Sequence, residues 1–226
     1  MALPARVEDG AIWSKGVLGV MKVVFLPDFV AYPICYFRML RKLGPRVIGE
    51  KVNYNDYWPY VSVAALGAAI AGDRICDGLD AFVGYSFGAF VAIEAAQALA
   101  RRGTKTRLHL IDPPDRKAQG SAVPIEVEAR LRANPTYHYV FDLIECDLTR
   151  SDCVFGNVSF LSDVAEKLQI DLPCSIYIAG DRDGSSAKVE QFRFSHRDRN
   201  VVYCPGFNHH DIVDCDVIVD NILRLG

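Results

Sequence analysis

The sequence predicts an α/β fold: one mostly parallel central sheet with helices on both faces. Three observations predict it. Short apolar runs alternate with longer helical patterns along most of the chain. Several of those runs, such as Val23-Val24-Phe25-Leu26 and Ser175-Ile176-Tyr177-Ile178-Ala179, are β-branched and apolar throughout and read as buried strands. Finally, Gly84-Tyr85-Ser86-Phe87-Gly88 sits between one such run and a long Ala-rich stretch with helical character.

Residues 1–20 are mixed, carry Gly10, Gly16 and Gly19, and read as an N-terminal arm or linker ahead of a domain at 21–226. After the strand Val23–Leu26 comes a loop, Pro27-Asp28-Phe29-Val30-Ala31-Tyr32-Pro33. A helix follows from about Ile34 to Leu43, stopped by Gly44-Pro45. Arg46 to Gly49 resembles a second strand, Asn53 to Tyr60 is an aromatic-rich loop, and Val61 to Ala71 is an apolar helix. Leu79 to Val83 is the strand before the serine, and Ala89 to Ala100 the helix after it, with Gly103 as a left-handed cap. Arg107 to Ile111 is the next strand. Pro113 stops it at Asp112, because the residue before proline avoids helical geometry.

From about 115 to 172 the periodicity loosens. Pro124 to Ala133 and Tyr137 to Glu145 read as amphipathic helices, and this insertion is the candidate lid. Ser175 to Ala179 is a strand followed by Gly180-Asp181-Arg182-Asp183-Gly184. Val201 to Cys204 is the last strand, followed by Pro205-Gly206-Phe207-Asn208-His209-His210, and Asp211 to Leu225 is a terminal helix.

At 226 residues and 50% hydrophobic content, the chain suits one domain with a full core. The formal net charge is -3, with no basic tail, so nucleic-acid binding has no electrostatic support. Seven scattered cysteines, without a C-x-x-C pair, fit reduced thiols in a cytoplasmic protein better than a disulfide framework or a zinc site. The early apolar run from Val17 to Leu26 is broken by Lys22 and has no small-residue cleavage site after it. It reads as neither signal peptide nor membrane span.

The chemistry starts at Ser86. G-x-S-x-G is weak as a bare pattern and specific when a strand precedes it and a helix follows. The glycines let strand and helix backbones approach. The turn lifts the hydroxyl above the sheet and puts the Phe87 amide at a helix N-terminus, where an oxyanion is held. A serine needs a base, and the base needs an acid to orient it. Chain order on this architecture is serine, acid, histidine. His209 and His210, after the last strand, are the candidate bases; His109, His138 and His196 have no motif around them. Asp112 is one candidate acid, and Asp181 or Asp183, one strand later, are the others. A metal site from His209, His210 and Asp211 lacks a fourth ligand.

The stretch Gly84 to Ala96 closely resembles the nucleophile elbow of thioesterase domains that end nonribosomal peptide and polyketide assembly lines. The resemblance extends back over Phe25 to Tyr32, forward over Leu110 to Asp112, and returns at Pro205 to His209; residues 115–172 have no counterpart in it. It implies an α/β-hydrolase fold with a small helical lid. Chain-terminating members place the acid where Asp112 stands, whereas many stand-alone editing members place it one strand later. The close spacing from Ser86 favours Asp112 over Asp181 and Asp183, and the family's Gly-x-His ending favours His209 over His210. Many relatives carry a His-Gly-Gly-like oxyanion loop where this chain has Pro27-Asp28-Phe29, so Phe29 becomes the second amide donor beside Phe87. The resemblance further implies a substrate carried as a thioester on the phosphopantetheine arm of an acyl or peptidyl carrier protein, with no bound cofactor and no metal. Release is by hydrolysis or cyclisation. The rival readings are a small-ester carboxylesterase with the same three residues and a non-catalytic hydrolase-fold binding protein. Arg38, Arg41 and Lys42, with Arg101 and Arg102, are the densest basic clusters for an acidic partner.

Overall fold

Strands β1 (Met21–Leu26), β2 (Val47–Lys51), β3 (Ala81–Tyr85) and β4 (Arg107–Ile111) come first along the chain. They are followed by β5 (Leu168–Ile170), β6 (Cys174–Ala179), β7 (Phe192–Phe194) and β8 (Arg199–Cys204). Six of them form the central sheet in the order β2-β1-β3-β4-β6-β8, with every neighbouring pair parallel. In the computed structural model, residues 19–115, 124–164, 168–180 and 187–224 are described, so the expected arm at 1–20 lies almost wholly outside them.

Alternate side chains of these strands point to opposite faces. On one face Val23, Phe25, Val83, Tyr85, Ile111 and Tyr177 pack with Met39 and Leu43 of α1 (Phe37–Leu43). On the other, Val24, Leu26, Phe82, Leu110, Ile176 and Ile178 pack against α2 (Val63–Ala71) and α3 (Phe87–Arg101). Both faces are covered, which explains runs that are apolar at successive positions. Helix α3 is buried at Ala89, Ala92, Ala95 and Ala96, small residues that let it lie between the sheet and α2. Gly67 of α2 allows that closeness, since a Cβ there would come within 2.6 Å of Glu94 Cβ. Gly103, at φ +84°, ends the α3 segment as expected.

Three further helices, α4 (Pro124–Ala133), α5 (His138–Glu145) and α6 (Ser151–Phe160), share a separate apolar cluster. Val30, from the loop after β1, joins Val127, Leu131, Val140, Val154 and Phe155 in it, so these helices pack onto that loop. Helix α6 is not among the sequence expectations. Its residues 153–157 are buried consecutively, and such a helix has no amphipathic stripe to read. The small parallel pair β5–β7 was also unexpected, since three-residue strands carry little pattern.

The last helix, α7, spans Asp216–Leu223 and not the longer stretch from Asp211. The Asp211 carboxylate instead holds a turn, accepting from the Asn208 amide (2.6 Å) and side chain (3.0 Å). Arg38 and Lys42 of α1 pair with Asp214 (2.9 Å) and Asp216 (2.7 Å), and Arg102 donates to Ala71 O at 2.8 Å. The first basic cluster is therefore partly neutralised within the chain, and Arg102 of the second is held by a neutral carbonyl. Among the described residues, no helix is long and apolar enough to cross a membrane.

The strand order reverses direction between β1 and β3, and the loops after β1, β3, β4, β6 and β8 all emerge at the same carboxyl edge. In open parallel sheets this is where ligands bind. The tightest backbone approach in the fold is there too. A Cβ on Gly84 would lie 2.3 Å from Gly88 O, and one on Gly88 would lie 2.1 Å from Leu26 O and 2.3 Å from Pro27 O. These obstacles are backbone and have no rotamer to yield. Gly88→Ala is expected to destabilise the fold by about 3 kcal/mol or more in urea unfolding, the upper end of overpacking costs. Gly103→Ala, where a Cβ meets nothing within 4 Å, carries only its left-handed backbone strain and is expected to cost roughly 1 kcal/mol.

Candidate active site

Strand β3 carries the chain to Ser86, and α3 begins at the next residue. Ser86 has φ +52° and ψ −120°, a conformation that costs a residue with a Cβ roughly 1–3 kcal/mol. Its amide donates to Ile111 O (2.8 Å) and its carbonyl accepts from the Ala89 amide (3.0 Å), so backbone on both sides holds the strained turn. A serine before a helix ordinarily caps it with its hydroxyl. Here the hydroxyl makes no cap bond.

Its partner is His209. His209 Nε2 lies 3.1 Å from Ser86 Oγ, and His209 Nδ1 lies 2.5 Å from Asp112 Oδ2. A carboxylate only accepts, so Nδ1 carries the hydrogen and Nε2 is left to accept from the serine hydroxyl. His209 comes from the loop after β8, and the Tyr85 hydroxyl anchors that loop by donating to His209 O at 2.6 Å. Asp112 follows β4 directly, at φ +41°, with its side chain fully buried. Its amide donates to Tyr177 O at 2.7 Å.

The Asp112 carboxylate has two further donors. The Ala179 amide reaches Oδ1 at 3.0 Å, and Lys188 Nζ reaches Oδ1 at 2.8 Å and Oδ2 at 2.7 Å. Burial pushes the Asp112 carboxyl up, but the hydrogen bonds from His209 and Lys188 and the charge of Lys188 outweigh it and leave the group below the ordinary carboxylate value. Lys188 is absent from the sequence expectations.

Asp181 and Asp183 lie outside the described residues. The His210 ring stands 6.1 Å from Tyr137 and 5.5 Å from His209, and burial, then the neighbouring His209, push it below the ordinary histidine value. With Asp211 turned to Asn208, the residues 209–211 do not converge. Among the described residues no group of three or more His, Cys, Asp or Glu side chains is placed to hold a metal ion. His109 is a core histidine, buried beside Tyr177 with its Nδ1 2.9 Å from the tyrosine hydroxyl; burial pushes it down to about 3.

Ser86 opens into a cavity of about 460 Å³. Phe29, Val127, Leu131, Tyr137, Val158 and Leu161 supply apolar walls, and Arg130, Lys188, Asp115 and His210 supply polar ones. Phe87 also lines it, and as the first residue of α3 its amide has no partner within the helix. The loop that carries Phe29 is held through its carbonyls. Tyr36 donates to Leu26 O (2.7 Å), Tyr54 to Pro27 O (2.8 Å), Asn157 to Phe29 O (3.0 Å) and Thr149 to Val30 O (2.7 Å). Asn157 is itself buried and accepts from the Tyr60 hydroxyl. These four clamps lie up to 128 residues away in the chain, and only their residue types are visible in the sequence.

A serine, an imidazole and a buried carboxylate in one hydrogen-bonded line can generate an alkoxide-like nucleophile. Solved structures with a similar arrangement of elements include thioesterases. The RedJ thioesterase of the prodiginine biosynthetic pathway in Streptomyces coelicolor is similar at a TM-score of 0.66 and 17% identity, covering 92% of this chain and 91% of that one. The NocB thioesterase domain of the nocardicin cluster is similar at 0.64 and 18%, covering 91% and 93%. The type II thioesterase BorB of the borrelidin cluster is similar at 0.63 and 15%, covering 91% of each. The chain has the α/β-hydrolase fold. A scan against models of protein families and a search of curated proteins by sequence each gave no match.

Asp28 lies beside the proposed oxyanion amide of Phe29, and its Oδ1 accepts from the Val30 amide at 3.1 Å. Burial pushes its carboxyl up to about 6, against the lowering effects of the Val30 bond and of His209. A carboxyl raised in this way favours the folded state below its ordinary value of 3.8, and that advantage is lost as the pH climbs through about 6. Asp28→Asn keeps the Val30 acceptor and removes the charge. The variant is expected to melt a few degrees above the wild type at pH 8, with the gap closing as the pH falls from 6 towards 4. About 1 kcal/mol corresponds to roughly 2–4 °C in a chain of this size.

Proposed function

We propose that this chain is a serine thioesterase that releases an acyl, peptidyl or polyketide chain from the phosphopantetheine arm of a carrier protein. The observation that carries the reading is the line Ser86–His209–Asp112 at the head of α3, opening into an apolar-walled cavity. The thioesterases whose fold it shares supply the substrate class.

In this mechanism the Ser86 oxygen attacks the thioester carbonyl carbon while His209 Nε2 takes the hydroxyl proton, and Asp112 stabilises the imidazolium. The oxyanion is held by the Phe87 and Phe29 amides. Collapse breaks the carbon–sulfur bond, His209 returns the proton to the leaving thiolate, and an acyl-Ser86 ester remains. Water, or a hydroxyl or amine of the chain itself, then attacks that ester with His209 again as base. Water gives an acid and an internal nucleophile gives a ring. Helices α4 to α6, over residues 124–160, serve as the lid that covers the ester. The partner is a carrier protein, and no step calls for a metal or a bound cofactor. The scattered, unpaired cysteines are compatible with a reducing cytoplasm as the setting.

A fluorophosphonate probe is expected to add one label at Ser86, lost in Ser86→Ala. Asp112→Asn is expected to lower turnover on the order of 10³ to 10⁴, with the fold kept. His209→Ala should approach the Ser86→Ala level and His210→Ala should stay active, because members of one relay act as a unit. Rates on an acyl-pantetheine thioester and its oxygen ester, compared side by side, separate a thioesterase from a small-ester carboxylesterase. A label on another serine, or a mild Asp112→Asn variant, would overturn the assignment.

A further inference from the structure

An aspartate buried with no exposure needs compensation for its charge. In a serine–histidine–aspartate relay the imidazole and one or two amides commonly supply it. Here the carboxylate has four contacts: His209 Nδ1 and Lys188 Nζ on Oδ2, and the Ala179 amide and the same Lys188 Nζ on Oδ1. A full cation therefore competes with the imidazole for the same oxygen.

Lys188 is held in place from behind. It lies in the helical turn 187–190, and Gln191 Nε2 donates both to Lys188 O (2.8 Å) and to Pro114 O (3.2 Å). Pro114 is two residues past Asp112, so one amide side chain ties the lysine turn to the strand end that carries the aspartate. The Lys188 side chain is about a quarter exposed and also lines the cavity.

We infer that Lys188 is a positioning residue of the relay: its ammonium clamps both oxygens of Asp112 and sets how much of the carboxylate's charge reaches His209. The inference rests on the reading of Ser86 and His209 as nucleophile and base. With the clamp in place, the imidazole faces a carboxylate whose charge is partly offset, and removing the ammonium would return that charge to the ring. The clamp also locks Asp112 in the rotamer that points at Nδ1.

The other groups around His209 do not duplicate this role. Asp28, from the loop after β1, acts on His209 with a negative charge, the opposite sense. Tyr85 at the end of β3 lies 5.2 Å from the imidazole ring, and burial pushes its hydroxyl up, as it does those of Tyr137 and Tyr139 by α5, so these tyrosines stay neutral. The Cys204 thiol of β8, which feels Asp112, is pushed up to about 12 and is also neutral. Among the described residues His210 is a further titratable neighbour, and it is held below the ordinary histidine value.

The test compares Lys188→Met, which removes the charge at similar volume, with Lys188→Arg, which keeps it. Two readouts are taken across pH 5–9: the rate of fluorophosphonate labelling of Ser86, and the His209 ring titration by nitrogen-15 NMR, assigned with His209→Gln. In Lys188→Met the acid limb of labelling and the ring titration are expected to move up together by about one pH unit. A charge at roughly 4–6 Å moves a titration by about 1–3 units, and the partial exposure of Lys188 favours the lower end. Lys188→Arg is expected to leave both near wild type. A uniform loss of rate with unmoved limbs, or equal limbs in Met and Arg variants, would overturn the inference and leave Lys188 as a structural counter-ion. Should Lys188→Met not fold, Lys188→Gln gives the same comparison. The NMR titration needs no turnover. If wild-type protein failed to label while the ring titration still moved, the nucleophile reading would fall and the charge-setting role of Lys188 would stand.

Discussion

At Gly88 the backbone of α3 lies against the carbonyls of Leu26 and Pro27 with no space for a single extra carbon. Much of the site depends on that approach. It brings the first turn of α3, and so the Phe87 amide, beside the loop after β1 that carries Phe29. Were α3 to retreat by the width of a methyl group, Ser86 would lose the packing that holds its positive φ. The strain at Ser86 is tolerated because the Ile111 and Ala89 bonds and the α3–sheet packing over-determine it.

The same loop links the site to helices α4–α6. Its carbonyls are taken by Tyr36 and Tyr54 from the hydrolase body, and by Thr149 and Asn157 from beside and within α6. Val30 enters the apolar cluster of those helices. The helices that line the cavity thus also hold the loop, through the Phe29 and Val30 carbonyls. A displacement of α6 would release Phe29 O and Val30 O together, and each is a buried acceptor that needs a partner.

How much of this was legible in the sequence follows from range. The elbow, β4 with its abrupt end at Asp112, and α4 were readable because their signals are local: small residues at a close approach, a proline after an aspartate, a helix bracketed by Pro124 and Pro135. Ser86, picked out by its motif, and Asp112 and His209, favoured over their alternatives by the family resemblance and by spacing, do meet in space. Legibility ended where a residue's role is set by something far away in the chain. Lys188 meets Asp112 across 76 positions, and Arg38 meets Asp214 across 176, which turns a basic face of α1 into an ion-paired seam with the chain that leads into α7. Helix α6 was missed for a different reason. It is enclosed on several sides, and periodicity reports only elements with one wet face.

The two aspartates near His209 show how the environment, and not the residue type, divides the roles. Asp28 and Asp112 both feel the imidazole. Asp28 accepts a single backbone bond, and burial dominates, so its carboxyl rises to about 6. Asp112 is the more deeply enclosed by its side chain, yet it falls below the ordinary value because four donor contacts and a neighbouring cation favour its anion. Neighbouring carboxyls driven in opposite directions are what an acid–base site needs. The group that stabilises an imidazolium has to stay ionised whenever the base works, and Asp112 meets that condition. Asp28 adjoins Phe29 in the loop after β1, and burial raises the cost of ionising it. Geometry separates them as well: Asp112 is hydrogen-bonded to the His209 ring, whereas Asp28 turns to the Val30 amide.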